Sequence, residues 1–285
     1  MTLEETYEVV SPSIVALGSK LVKRDKPMFP EIIGTGFVVD SRGIIATNRH
    51  VALPLQQLPV HPKTGMPVSF AMFIGPLMQV EGKRTRGVFF RDIKDYVILD
   101  RFESAEVFYG EDVPDIAFLQ LDVCDVPALI LETDEESWRV GRAIATAGYA
   151  MGEDALIVYD KITQISPLLR HGIISSNYPY PGRSPHGFTT DIMTQGGESG
   201  SPFFQPDTGS VIGLLHSGFD GTNVTIGIPS WIVKSALDSC LEDYPFEFGG
   251  SPTLADIMKN PRPTMPLNWE KVILPAPPAP PKDED

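Results

Sequence analysis

Cysteine is nearly absent from this chain of 285 residues, with only Cys124 and Cys240 present. They lie far apart, so no disulfide framework is implied and stability has to come from a buried core. No apolar run approaches the roughly 18 residues that a membrane-spanning helix needs. The opening residues, Met1-Thr2-Leu3-Glu4-Glu5, lack the basic start and apolar stretch of a secretory signal. The expectation is therefore a soluble protein of a reducing, cytoplasmic compartment. Positive charge is also scarce: 23 Lys and Arg face 37 Asp and Glu, a net charge of −14. That balance argues against nucleic acid or an anionic membrane as a partner held by broad electrostatics. Glycine (25) and proline (27) are plentiful instead, which suits many short strands joined by turns better than long helices. At 42% hydrophobic residues, the chain can bury one large core or two smaller ones.

Thr2 followed by Glu5 forms a capping box, predicting a short helix through about Val10 that stops near Pro12. Strand-like runs follow at Ile14–Leu17, Ile32–Val39, Ile44–Thr47, Val68–Ile74, Val88–Phe90, Tyr96–Leu99, Val107–Tyr109 and Ile116–Leu121. A second set comprises Ala143–Gly148, Leu156–Tyr159, Lys161–Ile165, Gly172–Ser175, Phe188–Asp191, Pro202–Phe204, Val211–His216 and Val224–Ile228. The connector Asp122–Val140, with its acidic cluster Asp134-Glu135-Glu136, divides the sets into two β-domains, 1–125 and 126–244. The second ends in a helix over Ser230–Leu241, with Ser230 as N-cap and apolar residues at helical spacing. Residues 245–285 form a tail whose Pro275–Pro281 run and acidic end cannot build a core; it is read as largely disordered. The stretch from Leu53 to Gly110 far exceeds the usual loop of about 4–6 residues, so it must hold strands of its own.

The chemistry concentrates in Gly196-Gly197-Glu198-Ser199-Gly200-Ser201-Pro202. A serine hydroxyl becomes a nucleophile only beside a base and a site for the developing oxyanion. Flanking glycines let the backbone turn tightly and aim amide hydrogens at one point. The base is His50, closing Gly43–Val51 where an apolar run ends. The carboxylate is Asp115, directly before the apolar run Ile116–Leu121; Asp112 and Asp122 compete with it but lack that position. His50 would take the Ser199 proton and return it to the leaving group. Asp115 would fix the imidazole tautomer, and the Gly197 and Ser199 N–H groups would bind the oxyanion.

At these residues the chain resembles the trypsin-like (chymotrypsin-fold) serine protease superfamily, in its HtrA-like and glutamyl-endopeptidase-like branches, from Val9 to Leu241. The resemblance rests on Gly34–Asp40 running on to Thr47–Val51, on Asp115–Leu119, and on Arg139-Val140-Gly141 with Ala147-Gly148-Tyr149. It continues through Gly172–Ser175, the serine turn, and Ile226–Ser230. It implies an all-β fold of two six-stranded antiparallel barrels with short N- and C-terminal helices. His50 and Asp115 would come from the first barrel and Ser199 from the second. It further implies a serine endopeptidase that needs no cofactor and no metal, with protein or peptide as substrate.

Departures from the family pattern bear on mechanism. Ser201 replaces a second glycine, a variant of the glutamyl-endopeptidase branch. Glu198 stands where digestive relatives place the aspartate that pairs with a new N-terminus. No matching activation start is present, so cleavage-driven activation is not expected, and neither is a PDZ domain after Leu241.

By resemblance, Met193, Thr194, His216 and Gly218 fall in the substrate pocket. Met193 supplies no charge for a basic substrate side chain, which disfavours trypsin-like specificity. His216 is open to two placements: in the pocket, as in glutamyl-preferring relatives, or where relatives place a serine touching the catalytic aspartate. His61, His171 and His186 read as surface or loop residues, and Lys83–Arg86 as a solvated hairpin tip. The proline tail reads as a plain disordered terminus or as a ligand for a partner's aromatic-lined groove. A non-catalytic scaffold on the same fold, or an acyl hydrolase acting on esters, are the rival functions. Oligomeric state has no signature in the sequence.

Overall fold

In the computed structural model, the described residues are 1–19, 31–60, 65, 68–80, 83–100, 113–150, 157–158, 161–162, 166–178, 185–219, 221–244 and 246–259. Helix α1 (Leu3–Val10) opens the chain. Its capping box is formed, with Glu5 N–H donating to Thr2 Oγ1 and Thr2 N–H to Glu5 Oε2. Six strands follow: β1 (Ile14–Ser19), β2 (Glu31–Asp40), β3 (Ile44–Thr47), β4 (Ser69–Val80), β5 (Lys83–Ile98) and β6 (Ala117–Leu121). They close into an antiparallel barrel in the order β1-β2-β3-β6-β5-β4.

After the connector come β7 (Ala143–Gly148), a small pair β8 (Ile157–Val158) and β9 (Lys161–Ile162), then β10 (Leu168–Tyr178) and β11 (Gly187–Thr190). The set ends with β12 (Pro202–Phe204), β13 (Val211–Gly218) and β14 (Thr225–Pro229). The second closed barrel runs β10-β11-β14-β13-β12-β7. The expected architecture of two six-stranded antiparallel barrels is the architecture found.

Strand alternation explains how the barrels meet. Side chains of successive strand residues point to opposite faces. Val15, Leu17, Ile45, Ala117 and Leu119 share one cluster inside the first barrel. Their neighbours Ile14, Ala16, Ile44, Ala46 and Phe118 join Ala145, Ala147, Phe204 and Leu214 of the second barrel in another. Ile144, Phe203 and Ile212 fill the second barrel itself. Because both faces of β1, β3 and β6 are covered, every residue in them is buried. Such strands read as continuous apolar runs, as these do.

Several expectations change. His50 does not end a strand: it lies in the first turn of a helix, α2 (Arg49–Gln56), whose Pro54 hides it from sequence patterns. Helix α3 (Ser230–Asp243) is capped by Pro229 rather than Ser230, whose hydroxyl donates to Glu132 O at 2.5 Å in the connector. His186 lies in the loop before β11, as one of its two readings had it, but is buried there, with its ring 6.4 Å from that of Trp231. His171 is exposed, as expected, but on β10, and Lys83–Arg86 opens β5, paired with Leu77–Val80 of β4.

The first part of the tail folds back onto the first barrel. Gln120 Nε2 donates to Glu247 O, Cys124 N–H to Pro252 O, and Leu254 N–H to Cys124 O. A last helix, α4 (Leu254–Lys259), sets Leu254 and Ile257 against the first barrel's core. His61, Val107–Tyr109 and the proline run lie outside the described residues. Among the described residues no helix is long and apolar enough to cross a membrane, and both cysteines are free thiols.

Candidate active site

Pairing of β3 with β6 brings together residues far apart in sequence, matching Thr47 with Ala117. Asn48 leaves β3 extended and turns the chain into α2. Its Nδ2 donates to the backbone oxygen of Asp115 at 3.0 Å. The Asp115 carboxylate then reads His50 twice. Oδ1 accepts the His50 backbone N–H at 2.9 Å, and Oδ2 accepts from ring Nδ1 at 2.6 Å. A carboxylate at the start of a helix also meets the positive end of its dipole. The ring is thereby fixed with its proton on Nδ1 and Nε2 left as the base. The Asp115 side chain is 11% exposed, the His50 ring 49%.

His216, on β13, takes the second of the two placements open to it. Its Nε2 stands 3.2 Å from the same Asp115 Oδ2, while Ser217 Oγ lies 3.3 Å from its Nδ1. Burial pushes the Asp115 carboxyl upward, but hydrogen bonds from His216 and His50 outweigh it and hold the group well below the usual carboxylate range. The atoms offered by His50, Asp115 and His216 lie within 4.8 Å of one another, a set that could hold a metal ion. The 2.6 Å separation of Nδ1 and Oδ2 is that of a charge-assisted hydrogen bond.

Ser199 reaches this cluster through its backbone. Its carbonyl accepts Thr35 N–H at 2.9 Å, and Gly200 N–H donates to Leu215 O at 3.0 Å. The Ser199 turn thus sits between β2 and the residue preceding His216. A Cβ on Gly34 would meet both Val51, the neighbour of His50, and Ser199 O. No hydrogen bond joins Ser199 Oγ to the His50 ring. Such contacts are often long in free enzymes and tighten with substrate. Among the described residues, no protein acceptor takes the backbone N–H of Gly197 or of Ser199. Two unused amides on one tight turn are the donor set an oxyanion requires. Between them lies Glu198, fully buried and paired with Arg170 of β10 at 2.8 Å.

Of the other residues expected in the pocket, Met193 is exposed. Thr194 Oγ1 lies 2.9 Å from Thr225 Oγ1, which itself donates to Ile192 O at 2.6 Å. A Cβ on Gly218 would come within 2.7 Å of Thr194 Oγ1, so these two lie against each other. Three further residues position the site without having drawn notice in the sequence: Asn48, Thr35 and Arg170. Asn48 and Thr35 lie inside the blocks that carry the resemblance, so their proximity to the motif was the available signal. Arg170 had none.

The family model described as trypsin-like peptidase domain matches residues 34–214, more than half of the chain. A probable periplasmic serine endoprotease, DegP-like, from Halomonas elongata is 25% identical over 196 residues, 69% of this chain and 31% of the relative. This chain therefore spans about a third of that relative's length. Among solved structures, the HtrA-type protease AlgW with tripeptide aligns with a TM-score of 0.51 at 16% identity, covering 85% of this chain and 64% of that one. AlgW with decapeptide aligns at 0.53 and 15% identity, covering 85% and 68%. Those likenesses describe the fold, and the match to the family model settles the membership: this chain belongs to the trypsin-like peptidase domain family.

Proposed function

We propose that this protein is a serine endopeptidase working through Ser199, His50 and Asp115. The observation that carries the reading is the His50–Asp115 contact at 2.6 Å, which leaves Nε2 as a base beside the Ser199 turn. In this reading Ser199 Oγ attacks a peptide carbonyl and gives its proton to His50 Nε2. The tetrahedral oxyanion is held by the N–H groups of Gly197 and Ser199. Collapse expels the amine, which takes the proton back from His50, and leaves an acyl group on Ser199. Water, deprotonated by the same imidazole, then releases the acid. Asp115 stays ionised throughout and stabilises the imidazolium. Protein or peptide is the substrate class.

A fluorophosphonate probe is expected to label the protein at Ser199, and Ser199→Ala to remove labelling. Turnover of a peptide library should fall on the order of 10⁶-fold in that variant. Folded wild-type protein that neither labels nor cleaves would overturn the reading.

A further inference from the structure

Glu198 separates the two amides of the oxyanion turn, and burial there pushes its carboxyl above the usual carboxylate range, against the opposing pull of Arg170. The residue is 0% exposed. A buried carboxylate without a counter-charge costs several kcal/mol or takes up a proton. Arg170 answers that demand, its Nε 2.8 Å from Oε1. The other oxygen, Oε2, accepts Gln195 N–H at 2.7 Å. The backbone of Glu198 is tied as closely: its N–H donates to Gln195 O, and its carbonyl accepts from Ser201 N–H at 3.0 Å and Ser201 Oγ at 2.6 Å. Glu198 therefore closes the loop Gln195–Ser201 on itself, and Arg170 is its tie to the barrel wall. Arg170 is held in β10, opposite Thr146 of β7, so the tether ends on a paired strand.

We propose that Arg170 is a positioning residue for the reaction: its ion pair with Glu198 holds the oxyanion turn assembled from within the chain. This rests on the serine endopeptidase reading and deepens it. The turn needs neither a newly cut N-terminus nor a bound partner to supply a cation. Gly197 and Ser199 flank Glu198, so fixing its side chain and backbone fixes the planes of the adjoining peptides. Without Arg170, Glu198 would turn toward water or become neutral. The peptide planes would turn with it, and the two amides would no longer converge. Because Arg170 acts through Glu198 and touches no substrate, its loss should slow the chemical step and leave binding nearly unchanged.

The test is steady-state kinetics with fluorophosphonate inactivation rates for wild type, Arg170→Met and Arg170→Lys, with thermal melting as the folding control. Arg170→Met is expected to lower kcat and the inactivation rate by about 10- to 100-fold, with KM changed less than about 3-fold. Arg170→Lys restores the charge and should recover most of that loss. Arg170→Gln serves if the methionine variant does not fold, with a loss of the same order expected. A folded Arg170→Met or Arg170→Gln protein inactivated at the wild-type rate would overturn the inference, as would a lysine variant no better than methionine. Wild-type protein that fails to react would instead overturn the endopeptidase reading.

Discussion

Asp115 is the residue on which the site's electrostatics turn, because one carboxylate serves two imidazoles and a helix N-terminus. Its carboxyl is held below the 3.8 of a free aspartate. A carboxyl depressed by folding adds stability above its unfolded pKa, and that stability is lost as pH falls toward the folded value. Wild type should therefore exceed Asp115→Asn by about 2 kcal/mol at neutral pH. The gap should begin to close as pH falls below about 5. Urea unfolding of both proteins from pH 7 down to 3 reads this directly, and a pH-independent gap would contradict it. His216 gives a second residue-scale expectation. Its Nε2 stands against Asp115 Oδ2. His216→Ala should lower kcat about 10-fold while leaving the ranking of substrates unchanged. A changed preference for the residue before the scissile bond, at unchanged kcat, would return His216 to the pocket.

Elements position these residues through close backbone approach, and Gly200 is one place where it is tight. Its φ is +89°, and a Cβ there would come within 2.0 Å of Thr35 O and 2.4 Å of Thr47 Oγ1. Gly200→Ala should cost at least about 2 kcal/mol, seen as a lower urea midpoint. Unchanged stability would mean that the turn yields more readily than this geometry allows. The glycines around Ser199 were visible as a motif, and the strands as apolar or β-branched runs bounded by turn residues. Both signals are local. Helix α2 was not visible, because it has eight residues, Pro54 inside it and no side-chain N-cap bond. The return of 246–259 onto the first barrel was hidden because single contacts such as Leu254 and Ile257 form no period. His50, Asp115 and Ser199 stand out in the sequence because they fall in the blocks that carry the family resemblance. The Arg170–Glu198 pair was not, because two charges 28 positions apart carry no pattern until β10 and the serine turn are folded side by side.

At the scale of the whole molecule, a site divided between two barrels works only if the barrels keep a fixed relation. The apolar cluster shared by β1, β3, β7, β12 and β13 supplies area without direction. Direction comes from Thr35, a fully buried residue of the first barrel. Its N–H donates to Ser199 O, its Oγ1 donates to Gly197 O at 2.8 Å, and the same Oγ1 accepts Tyr149 N–H at 3.0 Å. One hydroxyl thus joins β2 to the Ser199 turn and to the end of β7. Thr35→Val keeps the shape and removes the hydroxyl, stranding a carbonyl and an N–H in the interior. The expected cost is about 2–4 kcal/mol from two unmet groups. Fluorophosphonate labelling should slow beyond what the unfolded fraction explains, because Gly197 loses its anchor. Thr35→Ser, which retains the oxygen, should label at nearly the wild-type rate. If Thr35→Val labels as fast as wild type once folded, apolar contact alone sets the registry of the barrels and the hydroxyl is dispensable to it.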